Sequence, residues 1–208
     1  MTITVSGSSG VTFPAGGVGN PAGAVVGTTD TQTLTNKTLS GAIWTSPSGS
    51  TITSGTSQPS TSGTSIDFTG IPSWVKRVTV MLRAVSTSGT SLLRVQIGGG
   101  SLTTSGYVGC TSAIVSGTAG SNSFAGGGWD FNDGAGSASA SRTGIITIAN
   151  INSNTWVMQG MYSDPTSSSR SIFGSGSVAI AATLDQLRVT TVNGTDTFDA
   201  GSINILYE

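Results

Sequence analysis

Asp130 and Asp133 stand three residues apart in the stretch GGGWDFNDGAGSASAS, near enough in sequence for their carboxyl groups to lie within the roughly 5–10 Å that glycoside hydrolysis requires. Such a pair also needs a cleft that raises the pKa of its acid. The surrounding Gly and Ser read instead as a flexible loop, so no catalytic residue is assigned and the chain is expected not to be an enzyme. His is absent from all 208 residues, which removes the usual general base and the commonest metal ligand. Ser-His-Asp and Cys-His arrangements are therefore impossible within the chain. Cys110 is the single cysteine. It excludes an intrachain disulfide and a four-thiolate metal site, and reads as a small buried apolar residue. The spacing of Asp130, Asn132 and Asp133 does not match a calcium-binding EF-hand loop, so neither a metal nor a cofactor is expected.

The same stretch has a second possible use. Trp129 and Phe131 flank Asp130, and Asn132 follows; aromatic faces beside carboxylate or amide acceptors are what hydroxyl-rich sugars require. Loops carry binding on rigid β scaffolds, and the longest loop expected here runs from about residue 116 to 142. Trp129, Asp130, Phe131 and Asn132 are thus the candidate receptor-binding residues. The competing reading makes Trp129 a plug at the edge of a β-sandwich and Asn132-Asp133-Gly134 a turn. Trp74 follows Pro72 just before a long strand and suits a staple at the sandwich mouth or a subunit boundary; Trp156 suits a strand core.

Composition narrows the partners. Charged residues make up 8% of the chain, against roughly 25% in a typical soluble domain, while Gly alone supplies 31 residues. Hydroxyl groups must hydrate this surface. Eight basic and nine acidic residues leave a formal charge of −1. The scattered cations could release few phosphate counterions, which argues against nucleic acid as a partner. No run approaches the ~18–20 apolar residues that span a bilayer, and MTITVSGSSG lacks the basic start and apolar core of a signal peptide. A soluble chain without membrane insertion is expected.

These residues must be positioned by strands. From about residue 64, period-two alternation recurs between clusters of Gly, Ser, Asn and Asp. KRVTVMLRAV puts Val78, Val80, Leu82 and Ala84 on one face; LLRVQIGGG puts Leu93, Val95 and Ile97 on one face, and the two segments look like a hairpin. Further strands are expected at 105–115, 143–151, 154–163, 171–182, 185–192 and 197–207. Eight or nine short strands with turn signals about every ten residues, and no sustained 3.6-residue period, predict an all-β, antiparallel, jelly-roll-like sandwich over residues 57–208. A domain of ~150 residues can bury roughly 70% of its unfolded surface, enough for a core.

Residues 1–56 form a different texture. The first fifty hold few large apolar side chains and are interrupted by AGGVGNPAGA, which disfavours regular helix. They cannot offset an ordering cost of ~1–2 kcal/mol of backbone entropy per residue by themselves. In TQTLTNKTLSGAI, Leu34 and Leu39 lie symmetrically about Asn36-Lys37, so a strand pair would place them opposite each other. One such hairpin is marginal in water. Three copies around an axis would bury the leucines against one another. TSGTS recurs at 53–57, 61–65 and 87–91 at unequal spacings, which suits a spacer and a turn, not a solenoid.

TQTLTNKTLSGA and ITVSGSSGVTFPAGG resemble segments of the slender amino-terminal parts of tailed-bacteriophage fibre proteins. IDFTGIPSWVKRVTVMLRAVSTSGTSLLRVQIG, with the ending FDAGSINILYE, is similar to the carboxy-terminal head domain of such fibres, where a hydrophobic-Pro-Ser-Trp run precedes the first long strand. Together these stretches cover about a third of the chain. The resemblance implies a homotrimeric virion protein, assembled in the bacterial cytoplasm, whose 1–56 arm and short shaft attach to other virion proteins. Its 57–208 head would meet a host-surface polysaccharide or protein receptor. Leu34, Leu39, Ile43 and Trp44 would then be the sparse contacts among three chains. A head fibre or capsid decoration protein and a polysaccharide depolymerase are the alternatives. The chain is shorter than long-shafted fibres, which leaves tail fibre, head fibre and baseplate tip all open.

Overall fold

The computed structural model describes residues 52–131, 136–166 and 169–208. The candidate shaft contacts Leu34, Leu39, Ile43 and Trp44, together with Asn132 and Asp133, lie outside the described residues. The described chain is all-β, as its alternating patterns predict. Its strands are β1 (Thr53–Ser54), β2 (Gln58–Pro59), β3 (Ser65–Thr69), β4 (Arg77–Thr87), β5 (Leu93–Gly99), β6 (Ser101–Leu102) and β7 (Tyr107–Val115). They continue with β8 (Thr118–Gly126), β9 (Trp129–Phe131), β10 (Arg142–Asn152), β11 (Thr155–Asp164), β12 (Arg170–Ala179), β13 (Gln186–Thr191) and β14 (Phe198–Tyr207).

The strands divide between two antiparallel sheets. The larger has nine strands in the order β1-β14-β4-β10-β11-β12-β7-β8, with β2 also paired to β14; the smaller has five, in the order β3-β13-β5-β6, with β9 also paired to β5. One apolar core is shared by both. Val78, Val80, Leu82, Ile146, Ile148, Trp156, Met158 and Ile172 enter it from the larger sheet, and Phe68, Leu93, Val95, Ile97, Leu187 and Val189 from the smaller. Burying these side chains at ~25 cal/mol per Å² of apolar area is the main term that offsets chain ordering.

Two strand-level expectations are corrected. β4 and β5 do not form a hairpin. β4 lies between β14 and β10 in one sheet, while β5 lies beside β13 in the other. Their apolar faces contribute to one core from opposite layers, which buries both rows, whereas a hairpin would need a third element to cover its apolar face. Nor does Ala84 continue the inward row of Val78, Val80 and Leu82. It takes a positive φ of 51° at a register shift between Leu82 and Val85, so the buried phase resumes at Val85 and Thr87. This is a β-bulge: an inserted residue that exchanges which positions face inward. Gly201 accommodates it on β14, since its φ is 95° and a Cβ there would sit 2.4 Å from the Ala84 carbonyl oxygen.

Residues 116–126 and 129–131 also depart from the expected loop. Residues 118–126 form β8, which pairs with β7 along nine positions, and Ser116-Gly117 close that hairpin with φ values of 47° and 83°. Two successive positive φ angles match the tight turn whose twist suits paired strands. Residues 129–131 form β9, in register with Leu93, Arg94 and Val95.

Tyr107 anchors this part of the core. It is fully buried; its hydroxyl donates to the Ile97 carbonyl oxygen at 3.0 Å and accepts from the Ile97 N–H at 2.8 Å. Burial pushes its phenol from 10.0 up to about 12, against the smaller opposing effects of the Ile97 hydrogen bond and Arg94. Above pH 10 the unfolded phenol releases its proton while the folded one retains it, so stability must fall as pH rises through that window. A two-unit shift corresponds to roughly 2–3 kcal/mol lost by pH 12. Denaturant titrations at pH 9, 10, 11 and 12 should show this decline, and Tyr107→Phe should show a shallower one. Equal slopes in the two proteins would refute the assignment.

Candidate binding face

The sequence singled out Trp129, Asp130 and Phe131 as exposed ligand contacts, and the structure places the two aromatic rings elsewhere. Trp129 and Phe131 are both 0% exposed. Trp129 meets the ring edge of Tyr107 at a centroid distance of 5.0 Å, and Phe131 packs against Tyr162 at 5.6 Å. Of the two readings of Trp129, packing within the sandwich is the one that fits. In a three-residue strand, positions 129 and 131 share a face, and that face looks into the core.

Asp130, on the opposite face of β9, is held by a bidentate ion pair with Arg94, Nε to Oδ1 at 2.5 Å and Nη2 to Oδ2 at 2.8 Å. The Asp130 hydrogen bonds raise the Arg94 pKa further above its ordinary value, outweighing burial. Five other described carboxylates, Glu208 among them, are tied in similar ways. Asp67 binds Arg188 at 2.6 and 2.8 Å, Glu208 binds Arg77, and Asp185 accepts from the Gly100 N–H at 3.0 Å. Asp196 is held below the usual carboxylate range by the Asn193 amide and the Ser91 N–H. Asp164 accepts from Ser141 and Thr166. Among the described residues no group of three or more His, Cys, Asp or Glu could hold a metal ion.

The surface able to bind something is the outer face of the larger sheet. Strand register puts side chains there in cross-strand rows. One row runs Met81, Ile145, Met161, Phe173, Ser112, Ser121; the next runs Thr79, Thr147, Gln159, Ser175, Cys110, Ser123. Flanking rows carry Thr143, Ser163, Ser171 and Ile114 on one side, and Ala149, Val157, Ser177 and Val108 on the other. Ile145 is 55% exposed, Met161 61% and Phe173 43%, so an apolar ridge lies open to water in mid-sheet.

A hollow of about 580 Å³ adjoins this ridge, lined by Cys110, Ser112, Ile145, Thr147, Gln159, Met161, Phe173 and Ser175, with Gly160 and Gly174 also in its wall. Hollows of about 540 and 280 Å³ continue it on either side and share Thr147, Gln159 and Ser175, or Ile145 and Met161, with it. Cys110 is exposed here, which corrects the expectation of a buried thiol: β7 turns Thr111 and Ala113 inward and Cys110 and Ser112 outward.

This face offers hydroxyls, an amide, a thioether and an aromatic ring, with no carboxylate or imidazole. It suits contact with neutral or apolar surfaces and supplies no acid-base pair. Sequence reading missed it because alternation was used to find the buried face of each strand. The signal was nevertheless present: in GIITIANI and TWVMQGMY both phases carry large apolar side chains, Ile145 beside Ile146 and Met161 opposite Trp156, Met158 and Tyr162. Comparison with protein-family models, curated proteins and solved structures yields no match to this chain.

Proposed function

We propose that this chain is a structural fibre protein of a tailed bacteriophage, a homotrimer attached to the particle by residues 1–56 and presenting a jelly-roll-like head for host-surface glycan binding. The observation that carries the reading is the character of the described domain. It is a two-sheet antiparallel scaffold with a charge-poor, hydroxyl-rich surface, and its carboxylates at Asp67, Asp130, Asp164, Asp185, Asp196 and Glu208 are engaged in bonds that hold the fold. Such a surface favours recognition through neutral hydrogen bonds, with affinity multiplied by several weak sites acting together. The similarity of TQTLTNKTLSGA and IPSWVKRVTV to fibre segments supports the placement on a virion.

Within the head, the β7–β8 hairpin is the part of the 116–142 segment best suited to face a receptor. Thr118, Ser121, Asn122 and Ser123 are exposed along it. Purified full-length chain incubated with host-surface polysaccharide should be retained by it and leave no new reducing ends. New reducing ends would instead favour the depolymerase. Failure to bind any host-surface material, with the protein seen on capsids by electron microscopy of whole particles, would favour capsid decoration.

A further inference from the structure

The outer face of the larger sheet is bare of charge over an unusual extent. Across β10, β11, β12 and β7, the rows through Ile145, Thr147, Thr143 and Ala149 contain no Asp, Glu, Lys or Arg, and the charged residue adjoining their hollows, Arg77, is paired with Glu208. Soluble surfaces are ordinarily about a quarter to a third charged, and a contiguous exposed apolar patch marks an interaction site. We infer that this face is where copies of the chain meet one another, with Ile145, Met161 and Phe173 at the centre of the contact.

Three observations select a second copy as the occupant. The first is electrostatic: an uncharged face meets its own duplicate without like-charge repulsion, whereas a charged partner would be left with desolvated, unpaired groups. The second is shape. The ridge of Met161 and Phe173 borders the 580 Å³ hollow on the same face, so each copy can place its ridge in the hollow of the next around a three-fold axis, as closed heterologous interfaces do. The third is extent. Strands about 4.8 Å apart and residues about 3.4 Å apart give these four strands, over about seven positions, roughly 450 Å² of flat face, more than half of the ~800 Å² that each partner contributes to a stable interface.

This inference rests on the homo-oligomer proposed above and names the surface that forms it. Cys110 supplies a reporter, because it is exposed in the hollow of the single chain. Two measurements on the full-length chain separate the outcomes: mass in solution by light scattering, and the rate at which a maleimide dye labels Cys110. Met161→Lys and Phe173→Lys are compared with wild type, and near-ultraviolet circular dichroism checks that both are folded. Wild type should be a multimer whose Cys110 labels about tenfold more slowly than in Met161→Lys, and both variants should have the mass of one chain. Multimers that persist in both variants, or rapid labelling of Cys110 in the wild-type multimer, would overturn the face while leaving the oligomer intact. A wild-type chain of single mass with rapid labelling would overturn both readings. Protection of Cys110 only after host polysaccharide is added would reassign the hollow to a glycan.

Discussion

Trp129→Ala should lower the free energy of unfolding by about 3–5 kcal/mol, the range for truncating a fully buried large aromatic side chain. The ring is 0% exposed and in edge contact with Tyr107, and a Cβ on Gly176 would lie 3.0 Å from its Cδ1, so neighbouring backbone is already close against it. The cavity left by Ala would open where β9 joins the smaller sheet through Trp129 and Val95. Trp129→Phe should cost less, because it keeps most of the apolar volume and removes an indole N–H that has no hydrogen-bond partner among the described residues. Urea unfolding followed by circular dichroism measures both. A Trp129→Ala protein within about 0.5 kcal/mol of wild type that no longer adsorbs to host cells would return this residue to the receptor site.

The two readings of Trp129 show what period-two patterns can carry. Long strands were legible: the windows 143–151, 154–163 and 185–192 fall on β10, β11 and β13, and Trp156 is buried as read. A three-residue strand offers only Trp129 and Phe131 in phase, and its flanking glycines look the same whether they make a loop or let backbone approach backbone. At Gly128 a Cβ would lie 2.5 Å from the Arg94 side chain and 3.0 Å from the Val95 carbonyl, so the glycine is required by packing. Sequence separation hid the partners as well. Arg94 and Asp130 are 36 residues apart and Asp67 and Arg188 are 121 apart, and nothing local ties either pair together. Sheet membership was equally illegible, since β4 and β5 are neighbours in the chain but belong to different sheets.

Asp164→Ala should destabilise the domain by about 3–5 kcal/mol, the cost of breaking a buried charged network from one side. The residue is 0% exposed at the end of β11. Its Oδ1 accepts from the Ser141 N–H at 3.0 Å, the Thr166 N–H at 3.1 Å and the Thr166 hydroxyl at 2.8 Å. These bonds tie the approach to β10 and the chain leaving β11 to one carboxylate, and the single Thr166 hydroxyl proton is shared between that carboxylate and the Ser139 carbonyl oxygen, 2.7 Å away. The register places Arg170 directly opposite Asp164 on β12, and Arg142, fully buried, begins the neighbouring β10, so the same corner also holds buried cations. Alanine would remove both the acceptor and the negative charge. Asparagine keeps an acceptor oxygen for the two backbone N–H groups but loses the charge, so Asp164→Asn should fall between Ala and wild type. Thr166→Val, which removes only the hydroxyl, should cost no more than about 1–2 kcal/mol. Denaturant unfolding of the three variants in one buffer tests the order. If Asp164→Asn proves as damaging as Asp164→Ala, the charge facing the arginines carries the effect; if all three lie within about 0.5 kcal/mol of wild type, the corner contributes nothing to holding β10, β11 and β12 together.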